Sequence, residues 1–186
     1  LSSVIIRAMK RTRLPIWQTE GYNPRTYVTF MLPLSLGQEG EHEAMDFRLT
    51  EDVPYPEVMD RLNAALPADI RVTSVTVPKD KNTDITAARY MIDSSADPEK
   101  LRALCEKPEI NVEKRTKKGS AIVDLKPLMT DLEFDGGILR VTLPAGTTFN
   151  INPSLLFEAY AAEYGERVKR LRIVRTNIYS GEREFE

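Results

Sequence analysis

Two prolines frame this chain. Pro56 and Pro153 lie 97 residues apart, and each opens a helical period that follows one alternating apolar run and leads into another. Proline suits the first turn of a helix, where the N–H it lacks would have no partner anyway. Ahead of Pro56, Val4, Ile5, Ala8, Met9 and Thr12 recur at helical spacing and predict a helix over about residues 2–13, stopped before Pro15. Tyr27 to Leu32 is aromatic and β-branched, as a pleated strand requires. Met45, Phe47 and Leu49 alternate with Asp46 and Arg48 and predict a half-buried strand. The Pro56 helix carries Val58, Met59, Leu62, Ala65 and Leu66, and a further strand is predicted over Ile70–Val77. The order is helix, strand, strand, helix, strand. One more strand ahead of Leu1 would complete βαββαβ, the ferredoxin-like unit.

Lys79-Asp80-Lys81-Asn82-Thr83-Asp84 is polar and aperiodic, and the same order resumes after it. Strands are expected at Thr86–Ile92, around Ile110 and Val112, at Ala121–Leu125, at Leu139–Leu143 after Gly136-Gly137, and at Leu171–Ile178. Asp97-Pro98 opens a helix through Leu101, Leu104 and Cys105, and another starts near Ser154. The expected fold is therefore α+β, with two ferredoxin-like halves in tandem and the first lacking its opening strand. Residues 1–78 form the first half, 79–85 the linker and 86–179 the second half.

Charge narrows the possible partners. The net charge is only −2, but residues 1–27 carry +4, residues 36–70 carry −7 and residues 167–175 carry +5. Such blocks permit a local anion-binding surface on an acidic chain. Arg7, Lys10 and Arg11 share one helical face, and with Arg25 they form the expected anion-binding set, with Arg170 and Arg172 as a second source of charge. No apolar run approaches the roughly 20 residues of a membrane-spanning helix, so no membrane is expected as a partner. One cysteine, Cys105, excludes an internal disulfide and fits a reducing cytoplasm.

The binding residues are expected in two turns flanking the strand at 27–32. Glu20, Gly21, Tyr22, Asn23, Pro24 and Arg25 make the first turn, and Ser35, Gly37 and Glu39 belong to the second. Gly21 and Gly37 permit positive φ, and Asn23-Pro24 starts a turn. The two turns are expected to rim one cleft, which requires the first to fold back along the strand. A metal site is not expected: beyond Glu39, Glu41, His42 and Glu43 there is no ligand cluster, and acids there read as a solvated strand entry. Lys117-Lys118-Gly119-Ser120 ends like a phosphate loop but lacks its upstream glycine. A ferredoxin-like sheet with basic and aromatic residues is a common RNA platform, although the usual stacking run is not present.

Leu14-Pro15, Glu20-Gly21-Tyr22-Asn23-Pro24, Phe30-x-Leu-Pro33-Leu-Ser-Leu36-Gly37, Glu39 and Arg61-Leu62-Asn63-Ala64-Ala65-Leu66-Pro67 together resemble the radical SAM-linked protein family. This is a domain of unknown function found beside, or fused to, radical S-adenosylmethionine proteins. The resemblance covers essentially the whole chain and implies a further strand before Leu1. It also implies a non-catalytic accessory or substrate-presenting role beside a radical SAM protein, in RNA or ribosome-related modification. The iron–sulfur cluster and S-adenosylmethionine would then belong to the partner, with no cofactor in this chain. Where the family often reads Asn-Pro-His-Pro, this chain has Asn23-Pro24-Arg25-Thr26, and Arg25 supplies charge but no proton transfer near neutrality. Two alternatives stand beside this role. One is an RNA-modifying enzyme of pseudouridine-synthase-like architecture, with Asp46 as its acid; the other is a structural domain that binds protein through an uncovered sheet edge.

Overall fold

The computed structural model describes residues 1–116 and 119–185. Its elements are α1 (Ser2–Arg11), β1 (Val28–Phe30), β2 (Gln38–Gly40), β3 (Met45–Phe47), α2 (Tyr55–Ala65), β4 (Ala87–Ser94), α3 (Pro98–Glu106), β5 (Asn111–Thr116), β6 (Gly119–Asp124), β7 (Thr130–Asp135), β8 (Ile138–Pro144), α4 (Ser154–Tyr164), β9 (Leu171–Ser180) and β10 (Arg183–Glu184). The fold is α+β. It divides into two compact units: Leu1–Met31 with Ala44–Lys79, and Leu32–Glu43 with Asp80–Glu186. The segment 32–43, which its place in the sequence assigns to the first half, is thus part of the second unit. No described helix is long and apolar enough to cross a membrane.

In unit 1, the apolar stripe of α1 buries Ile5, Ala8 and Met9, and α2 buries Val58 and Leu62. These helices pack with a small antiparallel pair, β1 with β3, in which Val28 faces Phe47 and Phe30 faces Met45. α1 ends because Arg13 takes a left-handed φ of 55°, while Thr12 Oγ1 donates to Met9 O and accepts from Leu14 N–H. The strand expected over Ile70–Val77 does not form. Asn63 on α2 occupies both backbone groups of Val72, accepting its N–H at 2.8 Å and donating to its carbonyl at 3.0 Å. Val72 and Val75 still pack on the core while Val77 is 64% exposed, so the apolar residues marked partial burial without a ladder. The expectation of two ferredoxin-like halves therefore lacks its first closing strand.

Unit 2 is built on one sheet in the order β10-β9-β4-β8-β7, with β2 added in parallel to β9. β4 is central: it pairs antiparallel with β8 on one side and β9 on the other. Alternate β4 residues Ala88, Tyr90, Ile92 and Ser94 are buried. α3 contributes Leu101, Leu104 and Cys105 to the core, and α4 contributes Leu155, Leu156, Phe157, Ala159 and Tyr160. Asp97 caps α3 as expected, accepting from Glu99 N–H and Lys100 N–H at 2.9 and 3.0 Å. β5 and β6 form a separate antiparallel hairpin between α3 and β7. β7 was not foreseen. Its Thr-Asp-Leu-Glu-Phe-Asp run carries two apolar residues, and its place at the sheet edge demands no more.

Candidate functional site

The Glu20–Arg25 turn is the tip of a hairpin-like excursion in unit 1. At its base, Trp17 N–H donates to Arg48 O, Tyr27 N–H donates to Trp17 O, and the two rings meet edge to face at 5.2 Å. Further out, Thr19 N–H donates to Arg25 O at 2.8 Å, and Arg25 N–H donates back to Thr19 Oγ1 at 3.1 Å. Gly21 turns the chain with φ 125°, a value that side-chain-bearing residues rarely adopt. This clamp holds Tyr22 at the tip with its side chain 100% exposed.

Arg7, Lys10 and Arg11 do share the solvent face of α1, opposite Ile5 and Met9. Arg11 ties the two helices together. Its Nη2 donates at 2.6 Å to Ala65 O at the end of α2, where a cation complements the helix dipole. Arg7 and Lys10 make no ion pair among the described residues, and Arg25 lies on the separate hairpin tip. Asp46 on β3 sits partly buried, and burial raises its carboxyl above the usual range. No arginine is paired with it among the described residues.

Ser35, Gly37 and Glu39 belong to unit 2, so the two predicted motifs are held by different units. Gly37 turns with φ 81°, Leu36 projects fully into solvent, and Gln38–Gly40 then pairs with Ile173–Arg175. Glu39 accepts two hydrogen bonds from Arg172, at 2.9 and 2.7 Å, and that contact lowers its carboxyl below the ordinary value. Arg175 is buried, only 2% exposed. Its guanidinium reaches Glu43 Oε1 at 2.8 Å, Glu43 Oε2, and Leu32 O at 2.5 Å. Gly40 makes room for this: a methyl group there would collide with the Glu43 carboxylate. Arg170 pairs with Asp93. The basic block at 167–175 is therefore no open anion surface, because Asp93, Glu39 and Glu43 neutralise three of its five cations.

One cleft escaped sequence reasoning. β5 and the loop 146–150 border a shallow space of about 550 Å³ that is wide open to solvent, lined by Lys114, Arg115, Thr147, Thr148 and Phe149 among others. Lys114 Nζ donates to Asn150 O at 2.7 Å and lies 4.6 Å from the centre of the Phe149 ring. The basic run at 114–119 was legible, but its aromatic neighbour comes from 35 residues further on. Lys117 and Lys118 of the phosphate-loop-like run lie outside the described residues. No group of three or more His, Cys, Asp or Glu side chains is placed to hold a metal among the described residues. Cys105 is buried, which pushes its thiol up to about 11 and suppresses the nucleophilic thiolate.

By architecture this is an α+β protein with exposed loops and cationic surfaces. The chain belongs to the family described as "Uncharacterized protein conserved in bacteria (DUF2344)", whose model matches residues 1–153. No curated protein and no solved structure matches it.

Proposed function

We propose that the chain is a non-catalytic accessory domain that presents RNA to a radical S-adenosylmethionine protein in the cytoplasm. The observation that carries this reading is the uncompensated cationic face of α1, where Arg7 and Lys10 stand exposed without an ion pair among the described residues. Cations free of carboxylate partners are what phosphate neutralisation and counterion release require. The cluster and its cosubstrate reside in the partner. The clamped Tyr22 turn and the Leu36 turn carry the motifs of the resemblance, and they are the surfaces offered for docking. Arg25 adds charge beside Tyr22.

Titration of labelled single-stranded RNA tests the RNA half of the proposal. Wild type is expected to bind weakly and to lose on the order of tenfold in affinity between about 50 and about 200 mM salt. The Arg7→Glu, Lys10→Glu variant is expected to lose most binding at the lower salt while leaving the Arg11–Ala65 contact intact. Equal affinity of both proteins overturns the α1 reading, and no binding at low salt overturns RNA binding altogether. The partner half is tested on the complex isolated from native cells, where the visible absorption of an iron–sulfur cluster should co-elute with this chain. A complex without that chromophore removes the radical SAM partner.

A further inference from the structure

We infer that the cleft between β5 and the loop 146–150 is a second nucleic-acid site, one that stacks a base on Phe149 and holds the adjoining phosphate with Arg115. The inference deepens the RNA reading but rests on different residues in a different unit, so the two can fail separately.

The loop is built to be held still. Ala145 N–H donates to Thr86 O at 3.0 Å and Ile151 N–H donates to Pro144 O at 2.9 Å, which pins both ends. Gly146 lies so close to Ile85 that a side chain there would meet its carbonyl oxygen at 2.6 Å, so the backbone approach requires glycine. Lys114 ties the middle of the loop to β5 through Asn150 O. A loop anchored this way has no need to expose a large apolar ring, yet Phe149 is 44% exposed.

The chemistry around the ring suits one ligand class. An aromatic face with a cation beside it is the recurring platform for unpaired bases, because every base offers a π face. Lys114 already lies over the Phe149 ring, so positive charge stands beside the aromatic surface. Arg115 lines the same space and makes no ion pair among the described residues. Thr147 and Thr148 add hydroxyl and backbone donors at the rim. Neither Lys114 nor Arg115 is paired with a carboxylate among the described residues, unlike the arginines of β9, and Phe149 keeps part of its ring open to solvent.

The test separates base stacking from simple charge. Affinity at low salt is compared for labelled oligouridylate and for an abasic ribose-phosphate strand of equal length. Wild type is expected to prefer the strand with bases by roughly 5- to 150-fold, the range for one stacked base. Phe149→Leu keeps an apolar side chain and should erase that preference, while Phe149→Tyr should keep it. Arg115→Ala should weaken both strands alike. A base preference unchanged in Phe149→Leu overturns this site. If binding then vanishes in Arg7→Glu, Lys10→Glu, the reading from α1 survives alone. If the base preference follows Phe149 and the α1 variant binds normally, the cleft stands and the α1 reading falls. No RNA binding in any of the proteins removes both.

Discussion

Positive charge is handled in opposite ways by the two units. On α1 in unit 1, Arg7 and Lys10 face solvent without carboxylate partners among the described residues. On β9 in unit 2, Arg172 and Arg175 are each held by two carboxylate oxygens, and Arg170, just before the strand, is held by Asp93. The acids responsible come partly from the run at 36–70, whose first members cross into unit 2 with the segment Leu32–Glu43. A block of charge in the sequence is thus not a charged surface: what survives depends on which strand lies beside it. The cores differ too. Unit 1 rests on two three-residue strands and a cluster of five buried residues with half-buried neighbours around it, whereas unit 2 has a full sheet backed by two helices.

The largest expected effect comes from the thinner core. Leu62 is 1% exposed within it, and Leu62→Ala should destabilise unit 1 by about 2–5 kcal/mol. Hydrogen exchange should show the amides of α1, α2 and β1 losing protection while β4 and β8 keep theirs. Equal loss in β8 would mean that the contrast between the cores has no counterpart in stability.

Arg175→Met sharpens the electrostatic side of the comparison. It leaves Glu43 and the Leu32 carbonyl without their donor, an expected loss of about 3 kcal/mol, near the low end for buried pairs because Glu43 is partly exposed. Limited proteolysis should then cut within residues 32–43. Arg172→Met, which breaks an exposed pair, should change stability by no more than about 1 kcal/mol. Equal effects from the two substitutions would show that burial does not distinguish them.

A smaller effect follows from pH. The folded state holds the Cys105 proton up to about pH 11, whereas the unfolded thiol releases it near 8.5–9. Stability from this group is complete below the unfolded value and is lost as pH rises between the two, by on the order of 2–3 kcal/mol. Denaturation of wild type and Cys105→Ala over that range should converge, since the variant lacks the dependence.

The smallest expected effect concerns Asp46, a partly buried unit 1 acid without an ion pair among the described residues. Its raised carboxyl pKa means that its contribution is present at low pH and lost as pH rises through the folded value. Asp46→Asn should therefore stabilise unit 1 slightly at neutral pH, by less than any of the changes above. The matching Glu39→Gln change should not stabilise unit 2, because it removes the negative charge and one of the two oxygens that accept from Arg172. Denaturant midpoints decide between these signs.

Much of the secondary structure was legible from local rules. Helical spacing located α1 and α2, Asp97-Pro98 located α3, and Gly136-Gly137 marked the turn before β8. These signals are local because helix periods, caps and turns depend on residues a few positions apart. The basic face of α1 and the turn around Gly21 were visible for the same reason. Ile70–Val77 misled because β-branched residues there report partial burial rather than pairing, and the partner that took the backbone bonds of Val72 was a side chain, Asn63, rather than a strand. β7 was missed because an edge strand buries little.

By itself, then, the sequence determined the α+β class, most of the elements and the family to which the chain belongs. Tertiary structure alone decided that residues 32–43 join unit 2, that Glu39 and Glu43 silence the arginines of β9, and that Phe149 meets Lys114. The reason lies in range. Backbone preference acts over a few residues, but the field at a charge and the exposure of a ring are set by whatever packs within several ångströms, and here those neighbours are 35 to 133 residues away along the chain.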